Sequence, residues 1–220
     1  MKGLAAVGLG LAGALAGIPM AAIAFSAPAT GRIRAPERWW FGGATRPAFV
    51  IVTAAGTGIA AAIISIAMPP TVALPSYWIF AVIGVGLAII DVRCRRLPHC
   101  LTAVLWTSSG VTFIAAALID GDGGPLVRAT SAGIATAIIM LAVALALPGQ
   151  LGLGDVAFAG TITFSLGWLG WQAACLGLLA GLFLQGAAAA TRRRQRDSDG
   201  LTPMGPALLA GWLLAVALSS

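Results

Sequence analysis

The chain has 220 residues, of which 59% are hydrophobic and only 9% charged, with a mean hydropathy of +0.96. That balance excludes an ordinary soluble domain, and with about 20 apolar residues needed per spanning helix it leaves no length for a separate one. The net charge of +6 does not indicate nucleic acid, because the 13 Lys and Arg residues are scattered through short loops rather than gathered on one face.

In chain order, apolar stretches cover 3–27, 48–68, 72–90, 100–119, 125–147, 156–168, 171–190 and 203–218, with Gly, Pro and charge at their boundaries. They predict an all-α, polytopic membrane helix bundle of about eight transmembrane helices, with six as the lower limit. The sixth stretch is short for a full span and is expected to borrow residues from "LGLGD" before it or "GWLG" at its end. Residues 1–47 form an N-terminal helix with a basic loop, and 48–220 form the main membrane domain.

Basic residues orient the bundle. Arg32, Arg34, Arg38 and Arg46 lie between the first two stretches, Arg93, Arg95 and Arg96 between the third and fourth, and Arg192, Arg193, Arg194 and Arg196 between the last two. Placing these loops in the cytoplasm leaves only Lys2 and Arg128 outside, which satisfies the positive-inside rule. A cleaved signal peptide competes for the first stretch, since Lys2 precedes the apolar run and small residues surround Ser26 and Ala27. It would deliver the four-Arg loop outside, against the charge rule. The run "TRRRQRD" reads as a topology or headgroup anchor, and Trp39, Trp40, Tyr77, Trp78, Trp168 and Trp171 read as an interfacial belt. Cys94, Cys100 and Cys175, with a single His, form no disulfide or zinc pattern, so no metal or other cofactor is implied.

The acidic residues sort by surroundings. Glu37, Asp197 and Asp199 stand among arginines, and Asp120 and Asp122 lie in the outer turn "DGDGG". Asp91 and Asp155 remain, each at the cytoplasmic edge of an apolar segment. A carboxylate near lipid is costly and marks function by default; the plain alternative is a helix-end Asp in the interface, paired for Asp91 with Arg93. Short connections allow the two to meet, and two close carboxyls do not both ionise easily. One then holds a proton while the other acts as base, which is the logic of an aspartic protease. Gly152 and Gly154 in "GLGD" are expected to permit unusual backbone angles or the close approach of another backbone, with tight helix packing as the simpler role.

These motifs together resemble the type IV prepilin peptidases. "DVRCRRLPH", from Asp91 through Leu97 and Pro98 to His99, is similar to the motif in which a helix-ending Asp is followed by a basic stretch and Ile-Pro or Leu-Pro. "GLGDVA" matches the GxGD motif, and "LTPMGPALL" resembles the Pro-x-Gly-Pro helix start, here Pro203, Gly205 and Pro206. The resemblance covers about 48–218 and implies a metal-free aspartic endopeptidase with Asp91 and Asp155 as catalytic pair. It implies removal of the basic leader of a prepilin or pseudopilin after Gly, at the cytoplasmic face of the inner membrane, in type IV pilus or secretion systems.

Two positions depart from the family: Ala157 stands where Lys is common, and His99 where Asn is common. His99 is expected to cap the following helix as Asn would. The first loop lacks the cysteine-rich insertion of larger members, so the expected activity is peptidase without that zinc-bearing element, and methylation is not assigned. Presenilins and signal peptide peptidases share GxGD and Pro-Ala-Leu, present here as Pro206, Ala207 and Leu208. Their first Asp usually follows Tyr, whereas Ile90 precedes Asp91. The alternative from another class is a proton- or cation-coupled transporter using the same Asp pair, although no internal repeat supports it. A membrane scaffold fits the Gly and Ala content but needs neither aspartate.

Overall fold

A computed structural model describes residues 2–26, 47–95, 97–147, 151–194 and 202–219. Among them the chain forms eight helices and no strand: α1 (Lys2–Ser26), α2 (Pro47–Ala67), α3 (Leu74–Cys94), α4 (His99–Asp120), α5 (Gly124–Ala146), α6 (Leu153–Leu169), α7 (Trp171–Arg194) and α8 (Gly205–Leu218). Six of them, α1 to α5 and α7, are long and apolar enough to cross a membrane, while α6 and α8 are shorter. The chain is a multi-pass helical membrane bundle. The first basic loop with Trp39 and Trp40, Arg96 and the last three residues of the "TRRRQRD" run lie outside the described residues.

Helix α6 takes extra residues at both ends of its apolar stretch, from Leu153 through Leu169. A helix apolar all round belongs in a core, and residues 158–167 of α6 are all buried. It packs against α4, α5, α7 and α8. Its last carbonyls, left without intrahelical donors, are met from α5: Arg128 donates to Gly167 O at 2.7 Å and to Trp168 O at 2.8 Å. The surrounding helices turn large apolar side chains outward, among them Val111 and Leu118 on α4, Ile138 on α5 and Phe183 on α7. Outward-facing side chains of this kind match hydrocarbon rather than water.

Helix α3 is the second inner element, packed against α1, α2, α4 and α8. Its aromatic side chains join the core, where Phe80 stacks on Trp212 of α8 at 4.4 Å and on Phe158 of α6 at 6.3 Å. Tyr77 belongs to this core and not to an interfacial belt: it is 1% exposed, because its ring packs between α4 and α8 and its hydroxyl finds an acceptor on α6. Trp168 likewise stacks on Phe113 at 4.5 Å, whereas Trp171 is exposed as a belt residue would be.

Helix α3 runs one turn past its apolar stretch and ends at Cys94. Arg95 then adopts φ 52°, a left-handed conformation that costs a non-glycine residue roughly 1 kcal/mol, and its N–H donates to Asp91 O at 2.8 Å. Pro98 disfavours helix at the residue before it, so Leu97 stays extended and α4 starts afresh. The cap of α4 is Pro98, not His99: its carbonyl accepts the first helical N–H groups, and His99 is the exposed first residue of the helix.

Candidate active site

Asp91, Leu97, Asp155 and Gly205 all lie at one end of the bundle, where α3 ends and α6 and α8 begin. The structure joins the three sequence motifs in pairs. Asp91 is 4% exposed, and its Oδ2 accepts the backbone N–H of Gly205 at 2.7 Å, across 114 residues of chain. Helix α8 begins at Gly205 and Pro206 behind Met204, with no side chain of its own to cap it. An uncapped buried helix start requires an acceptor, and the carboxylate of Asp91 supplies it where the helix dipole favours negative charge. Gly205 is required for the approach, since a Cβ there would lie 3.1 Å from Asp91 Oδ2 and 3.2 Å from its Cβ.

Arg93 does not serve as the partner expected for Asp91. Its guanidinium donates to Ala24 O at 2.8 Å and lies over the rings of Phe25 and Phe49 at 4.7 and 5.3 Å. It closes the end of α1, where a cation complements the carbonyl dipoles.

Asp155 stands in the first turn of α6, ahead of the apolar stretch, and is half-buried. Its Oδ2 accepts the N–H of Gly152 at 3.2 Å, one half of a capping box, the other half being impossible for a glycine cap. Neither Gly152 nor Gly154 has a positive φ, so unusual backbone angles are not their role. Close approach is, for Gly154: a Cβ there would lie 3.0 Å from Leu97 Cβ and 3.2 Å from Leu97 O. The GxGD turn therefore rests directly on the Leu-Pro turn that follows α3, and Leu97 and Pro98 are both buried there.

The two carboxyls are near enough to interact. Burial first, and then the charge of Asp91, push the Asp155 carboxyl up from 3.8 to about 6 against the opposing hydrogen bond from Gly152. Among the described residues no group of His, Cys, Asp and Glu is arranged to hold a metal. Comparison of the chain with protein-family models, with characterised proteins and with solved structures returns no match.

Pro203 is half-buried. Its segment is tied through Gln185 Nε2 of α7, which donates to Thr202 O at 2.9 Å. The link between Asp91 and Gly205 had one trace in the sequence: a helix start reading "TPMGP", with Met at the cap, has no acceptor of its own. The role of Gln185 had none, because polar residues on apolar helices do not announce which neighbour they face.

Proposed function

We propose that the chain is a membrane aspartic endopeptidase of the prepilin peptidase kind, in which Asp91 and Asp155 share the work of activating water. The observation that carries this reading is the convergence at one end of the bundle of two interacting carboxyls, each tied to a residue of another motif: Asp91 to Gly205, and Asp155, through Gly154, to Leu97. Asp155, the carboxyl pushed up to about 6, holds the proton in mildly acidic conditions, and Asp91 accepts a proton from water. The water oxygen bonds to the scissile carbonyl carbon while Asp155 protonates the carbonyl oxygen. Collapse of that tetrahedral species breaks the C–N bond: the proton that Asp91 took from water passes to the leaving amine, and Asp155 recovers a proton from one hydroxyl as the new carboxyl group forms.

The substrate on this reading is a prepilin or pseudopilin cut after Gly, before its hydrophobic helix. The site on this reading faces the cytoplasm from the inner membrane, a side supported by the positive-inside rule applied to the arginine-rich loops. Co-expression with a tagged prepilin, followed by intact-mass measurement, tests it. Leader loss that requires Asp155 supports the peptidase; a correctly inserted chain that leaves several prepilins uncut contradicts it and turns attention to proton flux through the same pair.

A further inference from the structure

The site is carried by α3, α6 and α8, and deep in the bundle one residue touches all three. Ser165 of α6 accepts a hydrogen bond at its backbone carbonyl from Tyr77 Oη of α3 at 2.7 Å, and at its Oγ from Trp212 Nε1 of α8, also at 2.7 Å. The three residues are essentially inaccessible, with Tyr77 and Ser165 each 1% exposed and Trp212 wholly buried. Trp212 also stacks on Tyr77 at 6.1 Å, on the same side of the bundle as Phe80.

These helices need such a contact. Each is apolar around its whole circumference, so apolar burial alone scarcely distinguishes one rotation of the helix from another. Helices in lipid also lack a hydrophobic force between them. A directional hydrogen bond does discriminate, because a rotated or displaced partner leaves an indole N–H or phenol O–H without an acceptor where no water replaces it. Ser165 stands ten residues beyond Asp155, about 15 Å along a helix that transmits rotation and translation to its first turn.

We propose that Tyr77, Ser165 and Trp212 form a positioning node that fixes the rotation and depth of α3, α6 and α8, so that Asp91, Asp155 and Gly205 meet. The assignment of a catalytic consequence rests on the peptidase reading above; the geometric assignment does not. The node touches no substrate and acts only through the helices it joins.

The test uses the full chain in lipid nanodiscs, with Ser165→Ala to remove the Trp212 acceptor and Tyr77→Phe to remove the other donor. Two readouts are taken: prepilin cleavage, and an infrared titration of the Asp155 carboxyl band, identified by its loss in Asp155→Asn. With the node weakened, kcat is expected to fall about tenfold while KM stays within about twofold, as for misplacement of catalytic groups without loss of binding. The Asp155 midpoint is expected to fall below that of the unaltered chain, as the carboxyls separate and water enters. In a Trp212→Phe background, Ser165→Ala is expected to add nothing further to the shift, because the hydrogen bond is already gone.

Unaltered kcat and an unaltered midpoint in both single variants overturn the node. A further loss from Ser165→Ala in the Trp212→Phe background overturns the Trp212 link. If the unaltered chain fails to cleave, the peptidase reading fails, and the infrared titration still decides the node. Should Ser165→Ala not insert, Tyr77→Phe is read by the same two criteria.

Discussion

Asp91 and Asp155 occupy the same end of the bundle but are secured in opposite ways. Asp91 is buried and spends its carboxylate on the start of a distant helix, so its hydrogen bond is part of the tertiary structure. Asp155 is half-buried and bonds within its own first turn, while burial and the charge of Asp91 push its carboxyl up to about 6. Residues of one kind, at one end of the bundle, are thus held by different parts of the fold: Asp91 by the start of α8, and Asp155 by its own first turn.

The largest expected effect is the one the two aspartates share. On the peptidase proposal, Asp91→Asn and Asp155→Asn each remove a proton-transfer group, and each is expected to lower prepilin cleavage by about 10²-fold to 10⁴-fold. Initial rates measured at matched membrane expression check this. Equal loss joins the two residues in one mechanism, whereas loss in only one separates them.

Stability should then divide them. Asp91→Ala leaves the Gly205 N–H without its buried acceptor and is expected to cost about 1–3 kcal/mol, read as a lower melting temperature in nanodiscs. Asp155→Asn keeps an acceptor for Gly152 while removing the charge. A carboxyl raised from 3.8 to about 6 binds its proton more tightly folded than unfolded. Its favourable contribution is therefore complete below 3.8 and is lost as pH rises through about 6. Above that pH, Asp155→Asn is expected to be more stable than the unaltered chain by on the order of 1–2 kcal/mol, allowing for the partial exposure of the carboxyl. Melting curves at acidic and alkaline pH should show that advantage shrink as the pH falls. The same titration predicts that cleavage declines as pH rises above about 6.

The smallest contrast lies in the two glycines beside Asp155. Gly154→Ala forces a Cβ to within 3.0 Å of Leu97 Cβ and 3.2 Å of Leu97 O, and is expected to cost about 1–2 kcal/mol as overpacking of a fixed turn. Gly152→Ala meets Asp155 Oδ2 at 3.2 Å, the movable end of a side chain, and Gly154 N at an ordinary 4.0 Å, and is expected to change stability by less than about 0.5 kcal/mol. Thermal scans of the two variants side by side give the comparison directly.

The helices were legible in the sequence because lipid demands long apolar runs, and runs of that length have few other uses. The short sixth stretch was legible as well, since its flanks held the residues α6 recruits. Side-chain destinations were not. Arg93 stood two residues from Asp91 and yet reaches the end of α1, because Ala24 O and the rings of Phe25 and Phe49 offer a better-shaped partner than a carboxylate already held by α8. Tyr77 beside Trp78 read as an interfacial pair, but adjacent helical residues face different directions, and one of them went into the core. His99 lost the cap of α4 to Pro98 because the carbonyl of Pro98, in extended geometry, already starts the helix.

The central claim is that Asp91 and Asp155 form one catalytic pair, and reconstitution tests it most directly. The purified chain, Asp91→Asn and Asp155→Asn are each placed in liposomes with a prepilin, and the product N-terminus is read by mass. Cleavage after Gly by the unaltered chain, with cleavage by either folded variant lowered by at least about 10²-fold, is the result expected here. Sustained cleavage by either variant would contradict the pair.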